Sequence, residues 1–247
     1  MFLGVMAWQM LWAHEPVYQG KPLSQCLAPS LSDADRGMMN WEARHLEADN
    51  AVRQAGTNAL PTLLRMLRAK ASPLKLWFID LAQRQHIIAT RIRYASAEEQ
   101  NDAAQRAFKV LGAEARSAVP ALLEIASRNI SPASHYAAID ALGNIGPQAR
   151  EAVPSLLQWA TNGGSQPFHA IIALGRIGAE PGTVVPFLTN ALSDPNVRPS
   201  AAFALGEFGT NARLAVPALV MFLHSDTDLT DKTIYTNALK QIDPLAY

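Results

Sequence analysis

Two short motifs recur along this chain at one common period, and that periodicity constrains the fold more than any other feature. The first motif is a proline that follows an apolar pair and precedes one or two leucines or valines. Its copies are centred on Pro61, Pro120, Pro154, Pro186 and Pro217. The last four copies lie 34, 32 and 31 residues apart. Because proline fits the first turn of a helix, where its missing N–H costs nothing, each copy predicts the start of a helix.

The second motif, Ala-Leu-Gly-x-x-Gly, lies ahead of the later prolines. It occupies residues 141–146, 173–178 and 204–209, with a shorter copy at residues 110–112. The segments before these glycines carry alanine and leucine at helical spacing and predict a first helix in each unit. Glycine adopts the left-handed backbone that ends helices, so the Gly-x-x-Gly tail is expected to stop the helix and turn the chain. Small residues there are also expected to let neighbouring helices approach closely.

Together the two motifs predict an all-α fold, an α-α superhelix in which antiparallel helix pairs stack as an armadillo-type solenoid. One pair is too small to bury its own apolar face, so neighbouring pairs must share a continuous core. We therefore expect Leu142 and Leu205, on two first helices, to be core residues. Residues 230–242 predict a further first helix with no second helix after it.

The Ala-Leu-Gly-x-Ile-Gly and Ala-Val-Pro-x-Leu motifs resemble HEAT repeats, especially the short repeats named after phycocyanobilin lyase subunits. The resemblance covers residues 100–242 well, residues 45–70 more weakly and the first forty residues only loosely. It implies a HEAT-like solenoid of stacked helix pairs. Its implication for function is broad, since proteins with such repeats include scaffolds, adaptors and a few enzymes.

We expect three segments along the chain. These are an apolar N-terminal segment at residues 1–13, an extension at residues 14–44 and the HEAT-like solenoid at residues 45–247. Within the solenoid, residues 73–112 are expected to form a longer, irregular unit, because one step between prolines is 59 residues. Residues 74–94 within that unit predict a single long helix.

The N-terminal segment has two interpretations. Residues 2–13 are apolar and carry no charge, but they fall short of the roughly 20 residues that a membrane-spanning helix needs. They are either the remainder of an export signal or membrane anchor, or a terminal helix packed on the first repeat. The first interpretation implies export or anchoring, and without it the chain is expected to be cytoplasmic, so the compartment stays open.

Charge and motif content argue against several classes of function. Lys plus Arg and Asp plus Glu number 21 each, so the chain lacks the positive field that nucleic-acid binding needs, and no nucleic-acid partner is expected. The sequence contains no phosphate-binding loop and no nucleophile elbow. Deoxyhypusine hydroxylase, a HEAT-like enzyme, holds two irons with several His-Glu pairs, whereas this chain has only His14-Glu15. We therefore expect no catalytic activity, no metal and no cofactor.

Positions counted from the prolines predict an interaction surface on the second helices. The residues four after each proline are mainly polar and are expected to be exposed; they are Arg65, Glu124, Gln158, Asn190 and Met221. Beside this row lie Trp159, Phe187 and Phe222, which we expect to anchor a partner. The alternative for these aromatic residues is that they pack between adjacent second helices. Arg198 is expected to have a structural role, tying neighbouring units together.

The sequence thus predicts a non-catalytic scaffold or adaptor that presents a concave helical surface to a protein partner. Two alternatives remain open. One is an accessory subunit of an enzyme, lyase-like or hydroxylase-like, and the other is a solenoid that binds nucleic acid. The partner and the oligomeric state are left undetermined by the sequence.

Overall fold

The computed structural model describes residues 15–27, 41–70, 95–161, 166–225 and 228–245. The predicted N-terminal segment and the predicted long helix at residues 74–94 lie outside the described residues. The chain divides into two compact units, Met1–Ala138 and Ile139–Tyr247, called unit 1 and unit 2 below. The segment boundaries predicted from the sequence stay predictions.

Unit 1 combines a small hairpin with helices. The hairpin pairs β1 (Val17–Tyr18) with β2 (Lys21–Pro22) in antiparallel register, through a turn at Gln19 and Gly20 with positive φ angles. The helices are α1 (Leu23–Leu27), α2 (Trp41–Ala55), α3 (Leu60–Leu67), α4 (Ala97–Leu111), α5 (Val119–Arg128) and the start of α6 (Pro132–Ile145). Helix α1 packs against α2, α3 and α4, and α3 packs against α4 and α5.

Unit 2 is built from two layers of helices. After the end of α6 come α7 (Val153–Thr161), α8 (Phe168–Ile177), α9 (Pro181–Ala191), α10 (Arg198–Glu207), α11 (Val216–Ser225) and α12 (Leu229–Ile242). The first helices α8, α10 and α12 pack side by side, and the second helices α7, α9 and α11 pack on α8, α10 and α12 respectively. This arrangement confirms the predicted all-α stack of helix pairs.

Most links between first and second helices are short 3₁₀ helices, which were not predicted from the sequence. Three of them, Gly112–Ala118, Gly146–Ala152 and Gly209–Ala215, share the pattern Gly-x-x-Ala-x-x-Ala. Both alanines of each link are buried. A 3₁₀ helix repeats every three residues, so alanines three apart face the same side and together meet the core.

The two glycines of the Gly-x-x-Gly tail have separate roles, and both expectations for them are confirmed. The second glycine ends the first helix in the left-handed region, with φ +72° at Gly146 and +61° at Gly178. The first glycine stays helical and touches the next first helix. A Cβ atom on Gly175 would lie 2.6 Å from the Cα atom of Ala204, so only glycine allows this approach.

The prolines mark helix starts in four of five cases. Pro61, Pro120, Pro154 and Pro217 each occupy the second position of their helix, as predicted. The prediction for Pro186 is wrong, because it lies inside α9, which begins five residues earlier at Pro181. Pro181 takes the place of the first link alanine and follows Glu180, whose φ is +53°. A proline suited to the first helical turn thus starts the α-helix there, in place of a 3₁₀ link.

The core follows one position in every second helix. The residues two after each proline are completely buried; they are Leu63, Leu122, Leu156, Leu188 and Leu219. Leu142 and Leu205, predicted to be core residues of the first helices, are also completely buried. The residues three after each proline, although mostly leucine or valine, are only half-buried. The second helices therefore turn a narrower apolar face to the core than the sequence pattern indicates.

Candidate interaction surface

In unit 1 the two predicted surface residues are exposed but already hold ionic partners. The guanidinium of Arg65 on α3 lies 2.8 Å from the Glu15 carboxylate, whose side chain is only 3% exposed. Glu15 also accepts a hydrogen bond from the backbone N–H of Ser24. Glu124 on α5 pairs with Arg128 at 2.7 Å. Both predicted residues thus contribute to ion pairs within their own unit.

The pair between Arg65 and Glu15 predicts a measurable loss of stability when the arginine is removed. We expect Arg65→Ala to lower the free energy of unfolding by about 1–2 kcal/mol, because the buried carboxylate of Glu15 would lose its counter-ion. The expected loss is modest because the Arg65 side chain is partly exposed to water. Arg53→Ala is the matched control, because the partners of Arg53 are both at the surface: the Asp49 carboxylate at 3.9 Å and the side-chain oxygen of Asn50 at 3.1 Å. Urea titration of both variants measures the difference. Equal midpoints for the two variants would refute the assigned role.

In unit 2 the predicted polar row is exposed on three second helices. Gln158 on α7, Asn190 on α9 and Met221 on α11 all reach solvent, as expected from their positions after the prolines. The predicted anchors Trp159 and Phe187, with Phe222 on α11, are half-buried. The exposure of the row is confirmed, while its use by a partner stays a prediction.

One predicted anchor, Phe222, is engaged by a side chain of the preceding first helix. The guanidinium carbon of Arg198 lies 4.2 Å from the centre of the Phe222 ring, a cation-π contact. The Nε–H of Arg198 also donates to the carbonyl oxygen of Leu192, directly after α9, at 2.7 Å. Arg198 therefore ties the end of α9 to α11, which agrees with its predicted structural role. The face of Phe222 under Arg198 is unavailable to a partner.

Side chains of following helices bind the ends of second helices in unit 1 as well. His135 Nδ1 lies 2.8 Å from the carbonyl oxygen of Ala126 near the end of α5. The amide of Asn101 and the hydroxyl of Ser134 both donate to the carbonyl oxygen of Leu67, at the end of α3. These contacts add hydrogen bonds to carbonyls in the last turns of α5 and α3; the carbonyl of Ala126 also accepts one from the backbone N–H of Asn129.

Leu214, which was not among the predicted surface residues, is a large and strongly exposed apolar side chain next to α11 in the chain. Leu214 lies in the link before α11 and is 87% exposed, and Met221, two helical turns later, is 54% exposed. The signal was present in the sequence, because the equivalent link positions hold the polar residues Ser117 and Glu151. Helix α11 itself is almost entirely apolar, yet Leu219 is the one buried residue among its ten.

The second helices of unit 2 share a further property, which is the absence of formal charge. Helices α7, α9 and α11 contain no Lys, Arg, Asp or Glu. In unit 1, by contrast, α3 carries Arg65 and α5 carries Glu124 and Arg128. We call the outward side chains of α7, α9 and α11 the uncharged surface.

The described residues hold no group of three His, Cys, Asp or Glu side chains placed to bind a metal ion. His169 Nδ1 instead lies 3.0 Å from Asp140, and its Nε2 lies 3.2 Å from Gln166. Burial, and then the charge of Glu47, raises the pKa of the Cys26 thiol above its ordinary value, which disfavours the thiolate. The expected absence of a metal, a cofactor and catalysis stays a prediction.

In the part of the chain that the structure describes, no helix has both the length and the apolar character that a membrane-spanning helix requires. The family model for HEAT repeats matches residues 166–240, which span α8, α9, α10 and α11 and most of α12. The chain is a HEAT-like repeat protein. No curated protein and no solved structure matches this HEAT-like repeat protein. Its likeness to the phycocyanobilin lyase subunit type stays a prediction.

Proposed function

We propose that this HEAT-like repeat protein is a non-catalytic scaffold or adaptor that binds a protein partner on the uncharged surface of unit 2. HEAT repeats in general mediate protein interactions, which is the coarser statement that the family match supports. The observation that carries the finer proposal is the lack of formal charge on three consecutive second helices, α7, α9 and α11.

A solvent-exposed protein surface without charged residues is unusual. Soluble surfaces ordinarily carry about 25–35% charged residues, whereas the cores of protein interfaces are depleted of charge and enriched in aromatic residues and methionine. The uncharged surface has this second composition, with Trp159, Phe187 and Met221. Nucleic acid is a poor partner for it, because phosphates are bound mainly by Lys and Arg.

A charge placed on the uncharged surface tests the proposal. The full-length protein is used to capture its partner from an extract, and calorimetry then gives the dissociation constant for the purified partner. We expect Asn190→Arg to raise this dissociation constant about tenfold, because the guanidinium would be desolvated without a counter-charge. Asn237→Arg, which adds the same charge at an exposed position of the first helix α12, is expected to leave the constant within about twofold.

Two results would contradict the proposal. One is an equal effect of the two variants, and the other is that only Asn237→Arg weakens binding. Melting curves of both variants check that the fold is intact. If the captured partner is an enzyme subunit, the chain would have the role of accessory subunit. The two arginine variants would still test whether the partner binds the uncharged surface.

A further inference from the structure

Two exposed carboxamides lie at the same register of neighbouring second helices. Gln158 on α7 and Asn190 on α9 each follow their proline by four residues. Their backbone carbonyls accept hydrogen bonds from Thr161 and Ser193, but their side chains make no hydrogen bond to any described residue of unit 2. A carboxamide both donates and accepts. The two side chains therefore suit a ligand that offers N–H and C=O groups together and carries no charge.

Apolar side chains continue the surface beside the carboxamides. Met221 extends the same row onto α11, and Leu214 borders it from the preceding link, both largely in water. Two arginines are near these residues: Arg213 precedes Leu214 in the chain, and Arg198 donates to the carbonyl oxygen of Leu192 and stacks on Phe222. At the register of Gln158, Asn190 and Met221, the three helices thus offer two carboxamides and one apolar side chain, without formal charge.

This composition restricts the charge of whatever docks there. A Lys or Glu of the partner pressed against Gln158, Asn190 or Met221 would lose hydration, and no opposite charge on α7, α9 or α11 would replace it. The penalty applies to both signs of charge. The part of the partner that covers these helices is therefore expected to be uncharged.

The carboxamides also bear on the backbone conformation of the partner. In a helix the backbone N–H and C=O groups already bond each other, so they have little to offer Gln158 and Asn190. In an extended segment the same groups are free to bond a receptor. Helices α7 and α9 pack on α8 and α10, which lie side by side, and an extended chain advances about 3.3 Å per residue across them. An extended segment can therefore reach both carboxamides.

We propose that the uncharged surface binds an extended, uncharged segment of the partner protein. Its backbone hydrogen bonds with the side chains of Gln158 and Asn190, and its apolar side chains pack on Met221 and Leu214. This inference rests on the proposed function and adds the chemistry of the segment that is recognised.

Selection from random peptides tests this chemistry without knowledge of the natural partner. Phage-displayed peptides of twelve random residues are panned against the full-length protein, and the enriched sequences are synthesised. We expect them to be depleted of Asp, Glu, Lys and Arg relative to the library. Placing either one Lys or one Glu at the centre of a bound peptide is expected to weaken binding about tenfold in each case, a loss of about 1.4 kcal/mol.

Substitutions in the protein complete the test. Gln158→Leu and Asn190→Leu, which remove the carboxamides but keep side-chain volume, are each expected to weaken peptide binding about tenfold, while Asn237→Leu on α12 leaves it unchanged. The inference is overturned if no peptide is enriched, if one sign of charge is enriched, or if the leucine variants bind as well as the parent protein. The proposed function would then still depend on the separate partner measurement with Asn190→Arg.

Discussion

Replacing Leu205 with alanine is expected to lower the free energy of unfolding by about 2–5 kcal/mol. Leu205 lies on α10 and is completely buried, and α10 packs between the first helices α8 and α12. Leu205→Ala removes the apolar contacts of the isobutyl group. It also leaves a cavity that the neighbouring helices α8 and α12 cannot close by small movements. Urea unfolding followed by circular dichroism measures the change.

Leu214→Ala is the matched control for this experiment. It removes the same atoms from a side chain that is 87% exposed, so the free energy of unfolding should change by no more than about 0.5 kcal/mol. Similar losses for the two variants would show that Leu205 does not belong to the shared core of the helix pairs. Such a result would also undermine the layer arrangement of unit 2.

The helix pairs were predictable because the residues that begin and end each helix lie close to its boundaries in the sequence. A proline near the start of α5, α7 and α11 and a left-handed glycine after α8 act within a few residues of the boundaries they determine. The 3₁₀ links were not predicted, because alanines three residues apart share a face in an α-helix as well as in a 3₁₀ helix. The prediction for Pro186 was wrong because a second proline, Pro181, occupies the start of the same helix.

The exposure of the candidate surface residues was predictable from the sequence, whereas their contacts with other residues were not. Counting from the prolines placed Gln158 and Asn190 correctly in water, since helical periodicity alone decides which side faces out. The pairing of Arg65 with Glu15 joins residues 50 positions apart, and no local pattern signals such a contact. The stacking of Arg198 on Phe222 likewise depends on how α10 and α11 are placed in unit 2.

The close approach of first helices leads to the second large expected effect. A Cβ atom on Gly175 would lie 2.6 Å from the Cα atom and 2.8 Å from the Cβ atom of Ala204 on α10. These distances are too short for carbon atoms, and the obstacle is largely backbone, so no side-chain rotation relieves it. We expect Gly175→Ala to lower the free energy of unfolding by about 3 kcal/mol, because α8 and α10 must move apart.

Gly182→Ala separates this packing effect from the general effect of alanine in a helix. Gly182 lies in the first turn of α9, where an added Cβ atom would meet nothing within 4 Å, so the substitution is expected to stabilise the protein by about 0.5 kcal/mol through helix propensity and a less flexible unfolded chain. Thermal and urea unfolding of the two variants should therefore shift in opposite directions. A stabilising Gly175→Ala would mean that α8 and α10 lie further apart than described, and the Ala-Leu-Gly motif would then need another explanation than close helix packing.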